Sequence, residues 1–304
     1  MKSILLTGSS GFIGSRFLIG LEKLDCSIKL LSRTNNQSFP TVVCDFLHDE
    51  IPSECFHSID TIFHIAGYAH DTNESAKNKY LNEKINVETT IKLANLAALN
   101  KVSHFVFFSS VKAGGLHPNN LCGKEDHQGI LYDPYAISKR EAEKRLLEIG
   151  KTSQMRISVI RPALVYGPNL KGNLKLLWNA ISNERFLPIP KVKNRKSMIH
   201  IDDLFNAVIM VVKKQKISQD IVNITDGEEY SSRDIYETMC KVQNKQPTKF
   251  FLPKLILLIV SYVVPKLRLK INKLIKDECY SSEKLKSYGF IPKKTLFHIN
   301  ETSI

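Results

Sequence analysis

Tyr135 and Lys139, in the run Y-A-I-S-K, carry the clearest chemical signal in this 304-residue chain. On a helix, residues four apart share a face, and Asp133 followed by Pro134 reads as its N-cap and first residue. A free tyrosine has a pKa near 10 and is a poor base at neutral pH. An ammonium roughly 4 Å away, at an effective dielectric of about 20, is worth on the order of 4 kcal/mol, or about three pKa units. The helix N-terminus pushes the same way. The pair predicts a phenol that exchanges a proton with a hydroxyl or carbonyl near neutrality. Ser110 upstream can donate a hydrogen bond to the same oxygen. Y-x-x-x-K also recurs by chance on surface helices, so its setting decides the reading. Tyr132 has no lysine four residues on and is set aside.

That setting begins at the N-terminus, where residues 4–14 read I-L-L-T-G-S-S-G-F-I-G. The apolar run suits a buried parallel strand, and Phe12, Ile13, Phe17 and Leu18 follow at helical spacing. Gly8, Gly11 and Gly14 fall at the strand-to-helix turn, where a tight bend, close approach of a pyrophosphate and helix–strand packing each exclude a side chain. The N–H groups of the helix start then hold phosphates. The spacing G-x-x-G-x-x-G departs from the usual G-x-G-x-x-G, so the position between strand and amphipathic helix carries the reading of a dinucleotide turn.

Further strands are expected at 27–31, 41–44, 60–64, 102–108 and 157–160, with helices over 81–100 and 135–149. Ile85, Ile91, Leu93, Leu96 and Leu99 would form the apolar face of the first of these helices. This alternation predicts an α/β fold, a Rossmann-type doubly wound parallel sheet. Past the second strand stands Arg33, with no acid near it. A carboxylate there would repel a 2′-phosphate and an arginine can pair with it, so NADP(H) is favoured, with NAD(H) the alternative. Asp45 either touches the adenine or caps its own turn. Ala66-Gly67 is a second close-approach turn. His64, His104 and His200 lie in apolar runs and read as core histidines.

The net charge of +13 rests on dispersed lysines without interleaved aromatics, which speaks against nucleic acid and for a basic surface, or next an electropositive cleft for a diphosphate. The six scattered cysteines contain no C-x-x-C pair, so no metal site is expected. With a strand starting almost at Met1, these features suit a reducing cytoplasm.

The chain resembles the extended short-chain dehydrogenase/reductase family, the branch of nucleotide-sugar epimerases, dehydratases and ketoreductases. T-G-S-S-G-F-I-G, F-H-I-A-G (63–67), S-S-V-K-A-G-G (109–115), Tyr135 with Lys139, R-P-A-L-V-Y-G-P (161–168), M-I-H-I-D-D-L (198–204) and the tail at 281–292 match its landmarks in order. The resemblance implies that Ser110, Tyr135 and Lys139 form the catalytic set, with Ser109 as the alternative, and that Lys139 also binds the nicotinamide ribose. Cofactor contacts are expected from Gly8, Ser10, Gly11, Phe12, Ile13, Gly14, Arg33, Asp45, Phe46, Ala66, Gly67 and Pro162. Within the family, the runs 109–115, 166–173 and 193–200 look most like reductases of UDP-4-keto-6-deoxy sugars in polysaccharide synthesis. Asn173 would contact the diphosphate of the nucleotide sugar, and Arg195 or Lys196 would supply its phosphate contact. A nucleotide-sugar 4-epimerase retaining NAD is the nearest alternative. A non-catalytic nucleotide-binding or membrane-associated protein is the alternative of another class.

Residues 1–168, with 197–225 returning, are expected to bind the dinucleotide, and 169–196 with 226–304 to form a smaller substrate lobe. Residues 255–264 are nine-tenths apolar between Pro253 and Pro265. That is too short to span a bilayer. A buried or partner-facing helix is expected, with weak membrane-surface contact through 253–268 the alternative. A homodimer is left open.

Overall fold

The computed structural model describes residues 1–69, 75–117, 121–131, 133–185, 189–214, 219–300 and 303. In chain order the elements are β1 (Ser3–Thr7), α1 (Phe12–Glu22), β2 (Ser27–Ser32), β3 (Thr41–Val43), β4 (Thr61–His64), α2 (Ala76–Leu81), a π-helical stretch (Asn82–Thr89), α3 (Thr90–Leu99) and β5 (His104–Phe108). There follow α4 (Pro134–Thr152), β6 (Arg156–Pro162), β7 (Leu164–Tyr166), α5 (Gly172–Ser182), β8 (Met198–His200), α6 (Ile201–Lys213), β9 (Asp220–Ile224), α7 (Ser232–Val242), α8 (Lys254–Val263), α9 (Pro265–Ile275) and α10 (Glu283–Ser287).

Seven strands form one parallel sheet in the order β3-β2-β1-β4-β5-β6-β9, with Ile4 of β1 level with Ile28 of β2 and Thr61 of β4. Strands buried on both faces read as near-continuous apolar runs, as in H-F-V-F-F of β5, whose five residues are all buried. Successive side chains take opposite faces. Ile4 and Leu6 join Phe17 of α1 and Leu204 of α6 in one core layer. Leu5 joins Leu93 of α3 and Leu146 of α4 in the other. The winding reverses between β1 and β4, which opens a crevice at their carboxyl ends. A third cluster draws Tyr166, Leu174 and Met198 together with Tyr230, Met239 and Leu296. Beside it β7 and β8 pair in a separate parallel ribbon.

The helix expected over 81–100 begins earlier, at Ala76, where Ser75 accepts the N-cap hydrogen bond from the Asn78 N–H. The wider turns of the π-helical stretch shift its apolar face. Ile91 and Leu93 are buried as expected, joined by Val87, Ala94 and Ala97, while Leu99 is 78% exposed. The cysteines also differ from expectation: Cys122 and Cys279, 157 residues apart, form a disulfide. Their segments are brought side by side by hydrogen bonds from Gly123 N to Cys279 O and from Ser281 N to Gly123 O, each 2.9 Å. Of the two forms foreseen for helix α8, buried or partner-facing, burial does not hold within this chain, since Leu257 is its only buried residue. Among the described residues no helix is long and apolar enough to cross a membrane. Tyr132 lies outside the described residues.

Candidate active site

The glycine turn closes the crevice at the end of β1. Gly8 has φ of +73°, and a Cβ there would meet the Ala66 nitrogen at 2.6 Å. A Cβ on Gly14 would meet the Gly8 carbonyl oxygen at 2.0 Å, so α1 packs directly on the turn. Gly11 is the N-cap of α1 and covers the helix start with no side chain. The amide groups beginning at Phe12 and Ile13 are therefore free of a capping side chain, and Ser10 beside them is exposed. This cradle fits a dinucleotide diphosphate.

Behind the turn, Thr7 Oγ1 accepts from the Ala66 N–H at 3.1 Å and lies 2.8 Å from His64 Nδ1. His64 Nε2 lies 2.9 Å from Thr90 Oγ1, so one buried chain ties β1, β4 and α3. Burial holds His64 and His104 down to about 3. Between pH 6.5 and 3 the unfolded chain binds these protons and the native state does not. Stability is therefore expected to be full above about 6.5 and to fall as pH drops towards 3. Urea midpoints at neutral and mildly acid pH check this, and a His64→Gln variant should flatten part of the slope. An acid-independent midpoint would contradict it.

Gly67 faces α4. A Cβ there would lie 3.0 Å from Asn86 Oδ1 and 3.2 Å from Lys139 Nζ. Asn86, buried in the π-helical stretch, accepts from the Tyr68 N–H at 2.8 Å and donates to Ser138 Oγ at 3.1 Å. It fastens the loop after β4 to α4. Reading the sequence did not identify Asn86. The only signal was its spacing from Asn82, another buried asparagine in a helix, to which Asn86 also bonds at 2.9 Å.

Asp133 caps α4 by accepting from the Ala136 N–H at 2.7 Å, with Pro134 in the first turn. Tyr135 is half-buried, and Ser110 stands near enough to favour its ionised form. Ser110 accepts from the Lys112 N–H at 3.3 Å. Ser109 is distinguished from it: its buried hydroxyl donates to Glu143. Lys139 is 3% exposed, donates to the Phe108 carbonyl at 2.8 Å, and sits 4.5 Å from the Phe107 ring centre and 6.0 Å from that of Tyr135.

The electrostatics correct the expectation for this pair. Burial pushes the Tyr135 phenol up to about 12, only partly opposed by nearby Ser110. Burial also pulls Lys139 down to about 7. The ammonium is thus lost well before the phenol titrates, and the foreseen three-unit drop does not arise from Lys139 alone.

The remaining expected site residues lie on separate elements and loops. Arg33 is exposed one residue past β2. Asp45 caps its own turn, accepting from the Leu47 N–H at 3.0 Å, the second of its two readings. Phe46 lies 6.2 Å from the His64 ring. Pro162 is the buried last residue of β6. Asn173 is exposed in the first turn of α5. Arg195 reaches Glu229 at 3.5 Å and Asp277 at 3.7 Å, and Lys196 is 6% exposed with its head 3.2 Å from Glu278. Both cations expected for a phosphate thus already face carboxylates, supplied by distant parts of the chain. Two basic residues passed over in the sequence stand near the start of α4. Lys112 lies 3.8 Å from Asp133, and Lys273 of α9 is pushed down by burial and then by Lys112. Cys122, Cys279 and Glu229 also cluster. The two sulfurs are bonded to each other and Arg195 donates to the carboxylate, so the cluster offers no cation site.

The chain is similar to UDP-glucose 4-epimerase of Vibrio cholerae, at 29% identity over 80% of this chain and 76% of that one. It is also similar to the Escherichia coli O157:H7 N-acetyl-alpha-D-glucosaminyl-diphospho-ditrans,octacis-undecaprenol 4-epimerase, at 24% identity over 97% and 92%. Its fold matches the UDP-glucuronic acid 4-epimerase of Bacillus cereus solved with NAD, with a TM-score of 0.81 at 20% identity, covering 99% and 96% of the two chains. UDP-N-acetylglucosamine 4-epimerase from Bacillus cereus matches with a TM-score of 0.80 at 18% identity over 99% and 97%. At these identities the structural matches establish the fold, a parallel Rossmann-type sheet. Residues 4–225, most of the chain, match one family model. The chain belongs to the NAD dependent epimerase/dehydratase family.

Proposed function

We propose that this protein oxidises and re-reduces C4 of a hexose carried on a diphosphate, as a 4-epimerase. The observation that supports the reading is the pairing of Tyr135 and Lys139 on one face of α4, with the Lys139 head 6.0 Å from the Tyr135 ring centre and against Gly67. When bound, the dinucleotide supplies hydride exchange and, in its oxidised form, a positive charge beside the phenol. Tyr135 exchanges the proton of the C4 oxygen, and the charge that forms on it calls for a nearby cation. Ser110 hydrogen-bonds that oxygen. Lys139 anchors the cofactor ribose. Gly8, Gly11 and Gly14 seat the diphosphate with Phe12 and Ile13. Residues 169–196 and 226–304 form the substrate lobe, and Lys112 and Lys273 add positive charge where the sugar diphosphate enters. The carrier is a nucleotide or a polyprenol, the two kinds named for the curated relatives, and both present the same diphosphate chemistry.

Arg33, exposed past β2 with no acid beside it, supports a second reading. In it the protein is a reductase of a 4-keto-6-deoxy sugar that draws fresh hydride from NADPH. Identifying the dinucleotide released when the purified protein is denatured separates the two. Retained NAD is the expected result. Protein that arrives empty, consumes NADPH with a UDP-4-keto-6-deoxyhexose and loses its NADPH preference in Arg33→Asp would overturn the epimerase reading.

A further inference from the structure

Helices α8 and α9 form a hairpin whose inner side is spent on folding. Leu257 and Val260 of α8 pack on Ile271 and Ile275 of α9, with Leu252 and Val192 completing the cluster. The outer side of α8 is apolar as well. Leu255 is 68% exposed, Ile259 55%, Tyr262 89% and Val263 68%. These positions recur at i, i+4 and i+7 to i+8 and so lie along one face. A surface helix ordinarily turns polar residues outward, and a contiguous apolar patch marks a contact site.

The charge around the patch says what it contacts. Between Glu237 and Asp277 the chain has nine Lys or Arg and no Asp or Glu. Lys249, Lys254, Arg268 and Lys270 are exposed and make no ion pair among the described residues. Lys191 rests 4.9 Å from the Phe251 ring at the edge of the patch. A second copy of this chain would bring a like set of cations against these. An apolar helical face bordered by unpaired cations matches the boundary of an anionic bilayer, where chains and phosphates lie side by side. Helices of 10 and 11 residues are too short to cross it.

We propose that the α8–α9 hairpin docks the protein on an anionic membrane surface, burying Leu255, Ile259, Tyr262 and Val263 among the acyl chains and setting Lys249, Lys254, Arg268 and Lys270 on lipid phosphates. Docking does not depend on the reaction proposed above, and its test involves no turnover.

The test is co-sedimentation of the full-length protein with phosphatidylcholine vesicles with and without phosphatidylglycerol. The expected result is binding to the anionic vesicles only, weakened by salt. Loss of affinity by about tenfold or more is expected for Leu255→Asp/Ile259→Asp and for Arg268→Glu/Lys270→Glu. A Tyr262→Trp variant covers the case of misfolding, since its added fluorescence should shift to the blue with anionic vesicles. The proposal is overturned if wild-type protein stays in the supernatant with anionic vesicles. It is equally overturned if both double variants bind as wild type does, or if the apolar variant turns a dimer into a monomer while vesicles bind neither form.

Discussion

Tyr135→Phe is expected to lower turnover by about 10²–10⁴-fold, the usual contribution of a positioned acid or base. The phenol is half-buried, near Ser110 and Lys139, and held by a helix whose start is fixed by the Asp133 cap. Phenylalanine keeps the ring that stands 6.0 Å from Lys139 and removes only the hydroxyl. Dinucleotide affinity should therefore change little, because the glycine turn lies at the end of β1 and has its own locks in Thr7 and His64. Steady-state rates alongside cofactor titration check both halves. Turnover within a few-fold of wild type would remove Tyr135 from the chemistry. Lost cofactor binding would instead show that the hydroxyl is structural.

The largest stability effect is expected one and two turns further along the same helix. Glu143 is 2% exposed and meets the 4%-exposed Arg161 through two hydrogen bonds, at 2.9 and 2.6 Å. It also accepts from Ser109. Glu143→Ala strands a buried guanidinium, a loss of about 3–5 kcal/mol. For a chain of this length that is roughly 5–8 °C in melting temperature. Glu143→Leu with Arg161→Met should recover much of it, since an apolar pair of similar volume removes the uncompensated charge. A single variant that melts as wild type does would show that Arg161 finds another partner. The ion pair also explains how the two adjacent serines part company: Glu143 takes Ser109 inward, and Ser110 is left to face Tyr135.

Much of this architecture was legible in the chain because its signals are local. Short apolar runs marked β1, β2, β4, β5 and β6, glycine marked the turn at Gly8, and Asp133-Pro134 marked the start of α4. What escaped is long-range or depends on side-chain direction. The carboxylates that hold Arg195 and Lys196 come from 34 to 82 residues away, and the partner of Cys122 from 157. The π-helical stretch has no marker in composition, yet it sets the phase that buries Asn86 and turns Leu99 out to solvent. The spacing of Tyr135 and Lys139 placed both on one face. It did not reveal that the Lys139 head turns to the Phe108 carbonyl, nor that burial would raise the phenol and lower the amine. The exposed face of α8 was ambiguous for the same reason, since a ten-residue apolar run reads alike whether it is covered or bare.

The proposed reaction moves hydride from C4 of a diphosphate-linked hexose to the nicotinamide while Tyr135 takes the proton of the C4 hydroxyl. UDP-glucose or UDP-N-acetylglucosamine deuterated at C4, incubated with holoenzyme, tests this most directly. The account predicts transient reduction of the bound nicotinamide, slowed by the label, and a C4 epimer that keeps its deuterium at C4. Epimer formed without reduced nicotinamide, or label lost to water from C4, would contradict it.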